Sequence, residues 1–302
     1  MKALVVAVHY GNPQPTVELL RCLSRVERRS NVHVLIVGNQ PADGSASGLR
    51  EALYGLADFE LHELAANAGY FGAAKAGVDR FLERQGGLPD WIIVCNHDVL
   101  IEDRGFFARL FAQDVSAAGV IAPRIQLLPG RMDQNPFMRR RPGRLRWAGL
   151  RFSSSSYRVA EVWDWMSRKK RALQSYREAH SRNPAGRQKA EREWIYAPHG
   201  SFFIFSRKYF EAGGFLDQNL FLYGEEIFVA ETCRSLGLPV IYEPSLSVLH
   251  NEHTTTGRRV SRFSYECQKK ALRYVGARYF SSSRPPGEPA IPIARNAPFP
   301  RS

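Results

Sequence analysis

Long apolar runs are missing from this chain. No stretch approaches the roughly 18 apolar residues that a membrane span requires. The N-terminal run Met1–Val8 is too short for a secretion signal and reads as a first strand. Cysteine is scarce: Cys22, Cys95, Cys233 and Cys267 lie far apart, without metal or redox spacing. Three of them sit in apolar-periodic contexts and read as core thiols of a reducing compartment. No glycine fingerprint follows the first strand, and no GxxxxGK[ST] loop occurs, which excludes nicotinamide chemistry and a P-loop nucleoside triphosphatase. Acidic residues are also in deficit, 29 Asp and Glu against 42 Lys and Arg, for a formal net charge of +13 and a pI near 9.8. Such an excess calls for an anionic partner: a nucleotide, a nucleic acid or a phospholipid surface. It is concentrated, with 17 basic against 6 acidic residues between Arg131 and Glu193, so that +11 of the +13 lies there. The expectation is a cytoplasmic chain whose membrane contact is peripheral, on the inner face of the cell membrane.

What is present is a regular alternation of strand and helix patterns over the first 125 residues. Lys2–His9, Val32–Val37, Phe59–Leu64, Trp91–Cys95 and Val120–Ala122 read as strands. Between them, the spacing of Val17, Leu20, Leu23 and Val26, of Ala76, Val78, Phe81 and Leu82, and the segment Phe106–Phe111 predict helices. Alternation of this kind implies an α/β fold with a mostly parallel central sheet flanked by helices. From Gln126 to Trp194 the alternation breaks into a basic insert, with Arg139-Arg140-Arg141 and a helical stretch from Glu161 to Arg182, the rest disordered. Beyond it, Ser201–Phe205, Pro239–Tyr242 and Leu246–Leu249 read as strands, and Arg207–Gly213, a segment opening at Gly224-Glu225-Glu226, and Val260–Tyr279 as helices. The organisation expected is one domain over 1–280, with the insert at 126–194, and a disordered tail over 281–302 that carries six of the 18 prolines.

Polar residues gather where strands end. The buried run Trp91–Cys95 leaves through Asn96-His97-Asp98, which places oxygen ligands at a carboxyl end, where open α/β sheets bind their ligands. Alone, that would be an Asx turn. Tyr10, Asn39 and Asn67 stand just past three other strand ends, a carboxylate pair, Glu225 and Glu226, opens a helix, and His250 closes the last strand.

The segments VHYGNPQPT at the first strand, NAGYFGAA at 67–74, NHDV at 96–99 and HGSFFIFSRKYFEAGGFLDQNLFLYGEEIFVAETCRSLGLPVIYEPSLSVLH at 199–250 resemble inverting family-2 glycosyltransferases of the GT-A fold, near the bacterial rhamnosyltransferase-like branch. The resemblance covers roughly 1–125 and 195–275, leaving out the insert and the tail. It implies a nucleotide-diphosphate sugar donor, a glycan or lipid-linked acceptor hydroxyl, and a role in cell-surface polysaccharide synthesis. The branch suggests dTDP-rhamnose as donor. By the same resemblance, Asp98 is the last acid of a DxD-type motif that holds Mg2+ or Mn2+, and His250 is a second ligand, with His253 as a weaker alternative. Glu226 is then the general base and Glu225 its neighbour on the acceptor side. Tyr10, Asn39, Asn67, Gly69, Tyr70 and Asn96 bind the donor. Lys75, where relatives often carry Asn, adds a phosphate contact.

This chain departs from the pattern at Gly38, where many members have Asp to read the base, and at Asn96, where the motif's first acid is expected. Asn39 or Asp43 is left to read the base. Two other functions compete: a nucleic-acid-binding protein, which leaves the carboxylates unexplained, and a non-catalytic homologue, for which Gly38 and Asn96 speak. Trp163, Trp165 and Met166 beside Arg168-Lys169-Lys170-Arg171 suit the insert to an anionic membrane surface.

Overall fold

The structure is a computed structural model and describes residues 1–40, 45–128, 132–179, 190–251 and 261–280. In chain order its strands are β1 (Ala3–His9), β2 (Val32–Gly38), β3 (Glu60–Glu63), β4 (Trp91–Asn96), β5 (Val99–Leu100), β6 (Val120–Leu127), β7 (Met132–Asp133), β8 (Glu193–Ile195), β9 (Phe202–Ser206) and β10 (Val240–His250). The helices are α1 (Gln14–Leu23), α2 (Ser45–Ala52), α3 (Gly69–Gln85), α4 (Phe106–Phe111), α5 (Arg144–Ser153), α6 (Tyr157–Ala179), α7 (Arg207–Glu211), α8 (Glu225–Ser235) and α9 (Arg262–Tyr279).

All strands join one sheet in the order β3-β2-β1-β4-β9-β6-β10-β5, with β7 on β6 and β8 on β10. β1 pairs in parallel with β2 and β4, β2 with β3, and β6 with β10. β9 runs against both of its neighbours, β4 and β6, so β6 and β10 point the same way as the first four strands. Continuous apolar sequence makes this possible. Every residue of β1 and of β9 is buried, as strands covered on both faces must be.

Alternate residues of these strands feed two cores. On one face Ala3, Val5 and Ala7 meet Leu19 and Leu23 of α1, Leu49 of α2 and Phe107 of α4. On the other, Leu4, Val6 and Val8 join Phe71 and Val78 of α3, Phe228 of α8 and Val275 of α9. The expected α/β architecture, helices on both faces of a mostly parallel sheet, is thus observed.

Three expectations change. Pro239–Tyr242 and Leu246–Leu249 are one strand, β10, whose pairing with β6 shifts between Glu243 and Ser247. Pro244 has no N–H to give the ladder. The Glu243 carboxylate takes up the N–H and hydroxyl of Ser245 there, so the strand bends without ending.

The basic insert does not begin at Gln126, which lies within β6 and pairs with Asp133 of β7 in a hairpin. It also carries a helix, α5, that its sequence did not announce, and its long helix starts at Tyr157 rather than Glu161. Both pack back on α9: Trp147 of α5 stacks on Phe280 with centroids 4.0 Å apart, and Tyr157 of α6 meets Tyr265 edge to face with centroids 5.6 Å apart. Asp43, His253, the segment 180–189 and the tail 281–302 lie outside the described residues.

Candidate active site

The strand ends open into one cleft of about 550 Å³. Its construction begins at β5. This two-residue strand pairs antiparallel with the end of β10, placing Val99 opposite His250, and the Asn251 N–H donates to the Asp98 carbonyl at 3.1 Å. Asp98 and His250, 152 positions apart in sequence, are thereby brought together, with His250 Nε2 3.4 Å from Asp98 Oδ1. Both are buried. The other imidazole nitrogen is engaged: Nδ1 lies 2.7 Å from Gln134 Oε1. A carbonyl oxygen only accepts, so Nδ1 donates there, and Nε2 is left facing the carboxylate.

This arrangement fits a divalent cation. A carboxylate oxygen and an imidazole nitrogen converge on one locus, and the second imidazole nitrogen is fixed by a hydrogen bond, as metal-bound histidines usually are. Among the described residues, no cluster of three or more His, Cys, Asp or Glu is placed to hold a metal. Two protein ligands leave most of a hard cation's coordination to phosphate oxygens and water, the usual situation of magnesium at a nucleotide.

The carboxylate pair sits at the N-terminus of α8. Gly224, at φ 87°, turns the chain into the helix and both acids fall in its first turn. Glu225 is buried, and its Oε1 has no hydrogen-bond partner among the described residues. Burial pushes its carboxyl well above the ordinary range, and the neighbouring Glu226 adds to the rise. Glu226 is also raised by burial, against which the backbone N–H groups of Glu226, Gly200 and Gly224 pull it down. Its carboxylate lies so close to Gly200 that a Cβ there would come within 2.6 Å of Oε1. Glycine at 200 therefore makes room for this acid.

Of the residues expected at the site, Tyr10, Asn39, Asn67, Gly69, Tyr70, Asn96, Asp98, Glu225, Glu226 and His250 all line the cleft. Lys75 does not, and pairs with Asp79 one turn along α3. Asn39 is a loop holder: Nδ2 donates to Asn67 Oδ1 and to the Gly69 carbonyl, both at 3.1 Å, and Oδ1 accepts the Ala68 N–H at 2.8 Å. Gly69 has φ 75°, and a Cβ on it would meet the Phe221 carbonyl oxygen at 2.3 Å. The tyrosine after it hydrogen-bonds that same carbonyl through its N–H, at 2.8 Å. The Tyr70 hydroxyl is buried without a hydrogen-bond partner among the described residues, and burial together with Cys95 and the cleft acids raises its pKa.

Several cleft residues carry no mark in the sequence. His199 is held neutral, its pKa lowered to about 3 by burial and by His250, and its Nδ1 accepts the Ser201 N–H at 3.2 Å. Its own backbone N–H donates to Asn135 Oδ1 at 2.7 Å. Gln134 and Asn135 both follow β7, inside the stretch first read as an insert. His97, in the same turn as Asp98, also lines the cleft, as do Phe221, Phe263 and Ser264.

No protein-family model matches the chain. Among solved structures it is similar to GalNAc-T7 with UDP, GalNAc and Mn2+, at a TM-score of 0.57 and 13% identity, over 91% of this chain and 50% of that one. It is also similar to TarS 1-349 of S. aureus in complex with UDP-GlcNAc, at a TM-score of 0.51 and 11% identity, over 91% of this chain and 66% of that one. The chain therefore spans half to about two-thirds of these two solved chains.

The fold is of the GT-A type, as the motifs led one to expect. By sequence, the chain is 29% identical over 261 residues to the N-acetylglucosaminyl-diphospho-decaprenol L-rhamnosyltransferase of Mycobacterium tuberculosis, in strains CDC 1551 / Oshkosh and ATCC 25618 / H37Rv. That alignment takes in 84% of this chain and 77% of the relative. Among the described residues no helix is long and apolar enough to cross a membrane.

Proposed function

We propose that this chain transfers a sugar, rhamnose in the first instance, from a nucleotide-diphosphate donor to a hydroxyl of a lipid-linked N-acetylglucosaminyl diphosphate, with inversion, in the synthesis of a cell-surface polysaccharide. One observation carries the reading: an Asp98–His250 pair and a carboxylate pair, Glu225 and Glu226, line the same cleft at the carboxyl edge of a GT-A sheet. The mycobacterial relative supports the rhamnosyl donor and the lipid-linked acceptor by its name.

In this reading Glu226 accepts the proton of the acceptor hydroxyl as that oxygen forms its bond to the anomeric carbon. The bond from that carbon to the diphosphate breaks, and its electron pair leaves with the nucleoside diphosphate. Attack from the side opposite the leaving group inverts the centre. A pKa raised by burial makes ionised Glu226 a stronger base than an ordinary carboxylate. Asp98 and His250 would hold Mg2+ or Mn2+, which supplies positive charge against the departing diphosphate. Tyr10, Asn67, Gly69, Tyr70 and Asn96 line the donor's side, with Asn39 keeping their loop in place.

The basic segment would bring the cleft to the membrane that carries the acceptor. Val162, Trp163, Trp165 and Met166 of α6 are exposed, and the Lys169 ammonium sits 4.3 Å over the Trp165 ring. Aromatic and basic side chains on one helix suit a helix lying on an anionic leaflet.

The test is a transfer assay with Mn2+, a panel of nucleotide sugars including dTDP-rhamnose, and an N-acetylglucosaminyl diphosphate bearing a short alkyl chain. The expected result is a glycosylated product of inverted anomeric configuration by NMR, with matching release of nucleoside diphosphate. Absence of transfer from every donor would remove the reading.

A further inference from the structure

We infer that Phe221 and Phe263 form a stacking corner for the acceptor's sugar ring, beside the carboxylate pair. The inference rests on the transferase reading above and names the part of the acceptor that the cleft recognises. Most of the cleft is lined by polar side chains, yet these two phenylalanines face it while 36% and 61% exposed. Their rings meet edge to face, with centroids 6.0 Å apart and planes at 88°. Such a right-angled pair leaves ring faces open. A pyranose has a face of polarised C–H groups with its hydroxyls around the rim, and the electron-rich face of an aromatic ring complements it.

The corner is built to hold its shape. The Phe221 carbonyl accepts the Tyr70 N–H at 2.8 Å, an approach that only glycine at 69 allows. Across the gap, the Tyr223 hydroxyl bonds the Ser264 hydroxyl, joining the loop before α8 to the first turn of α9. That turn is itself capped by Ser261, whose Oγ accepts the Ser264 N–H at 3.0 Å. Both rings are therefore positioned before any ligand arrives, which lowers the entropy lost on binding.

Their place in the chain sets them with the carboxylate pair. Phe221 precedes Glu225 by four residues, and Phe263 is the second residue of α9, whereas the ends of β1, β2 and β4 make the donor side; the Phe221 carbonyl, against the loop 67–70, marks where the two sides meet. A sugar stacked on the corner lies on the side of the base that removes its proton.

The experiment uses the full chain with dTDP and Mn2+ and two probes: octyl N-acetylglucosaminyl diphosphate, and octyl diphosphate without the sugar. Calorimetry compares wild type with Phe263→Ala, Phe263→Tyr and Phe221→Ala, and steady-state rates give donor and acceptor KM separately. Phe263→Ala should weaken the sugar-bearing probe about tenfold. The sugar-free probe and the donor KM should not move, and Phe263→Tyr should bind like wild type. Phe221→Ala should act in the same direction, and because Phe263 is the more exposed ring its variants carry the test if Phe221→Ala does not fold.

Unchanged affinity in both alanine variants would overturn the inference. So would an equal loss on octyl diphosphate, which assigns the rings to the lipid, a shift confined to the donor KM, or failure of wild type to bind the sugar-bearing probe. Ring-dependent binding without any transfer would uphold the corner and contradict the transferase reading instead.

Discussion

Glu225 and Glu226 are adjacent in sequence and line one cleft; burial raises both carboxyls, and Glu226 makes it harder still for Glu225 to ionise. The pair titrates as a unit above the ordinary carboxylate value of 4.5. A base must be ionised to act, so kcat/KM should fall tenfold per pH unit below the pair's apparent pKa, and that pKa should lie above 4.5. Glu226→Gln should lower kcat by roughly 100-fold or more while leaving donor affinity intact. A wild-type limb at or below 4.5, or full activity in Glu226→Gln, would contradict these roles.

Stability follows the same sign. A carboxyl whose pKa is raised by folding favours the folded state at low pH, and that contribution is lost as pH rises through the raised value. Glu225→Gln should accordingly raise Tm at pH 8 and give no advantage at pH 4.

At the scale of elements, the hairpin of β6 and β7 decides how His250 faces the cleft. Gln134 N–H donates to the Ile125 carbonyl at 2.8 Å, and this register delivers its side chain to His250 Nδ1. Gln134→Leu should weaken Mn2+ binding in the presence of dTDP by about 10- to 100-fold, as loss of such a supporting hydrogen bond does. Gln134→Glu, which keeps an acceptor, should retain most of the affinity. Calorimetric Mn2+ titration reads both, and unchanged binding in the leucine variant would remove the role.

Nothing in the sequence marks Gln134, because its position depends on a hairpin register and on a histidine 116 residues away. Asp98's place at a strand end was legible because a buried parallel strand announces its own end; alone it reads as an Asx turn, and polar partners at other strand ends and the motif resemblance set it apart. Lys75 was misread for a geometric reason. Six residues into α3 it has advanced about 9 Å along the axis, away from the strand ends. Asn39 lines the cleft as expected, but its polar atoms are all directed to the loop 67–69, which no pattern of residue types could reveal.

On the scale of the molecule, the α/β alternation was readable because its strands are apolar runs bounded by helical periodicity. The packing of α5 and α6 on α9 was hidden by their many charges, which mask the few residues, such as Trp147, that bury. The concentration of positive charge in this region yields a prediction about location. Wild type should co-sediment with anionic vesicles at low salt, less so at high salt, and not with neutral ones. Changing Arg168, Lys169, Lys170 and Arg171 to Gln should release it, since each basic residue near such a leaflet contributes about 1 kcal/mol. Activity on the short-chain acceptor should survive the change. Equal sedimentation of both proteins would show that this helix does not set location.

A metal held by Asp98 and His250 for a nucleotide diphosphate is read from the affinity for dTDP and UDP with and without Mn2+. Calorimetry on wild type should show tight binding of at least one of the two with Mn2+, lost in EDTA and restored by excess metal. Asp98→Ala should bind that nucleotide weakly under both conditions. Binding that is equally tight in EDTA, or unchanged in Asp98→Ala, would contradict the account.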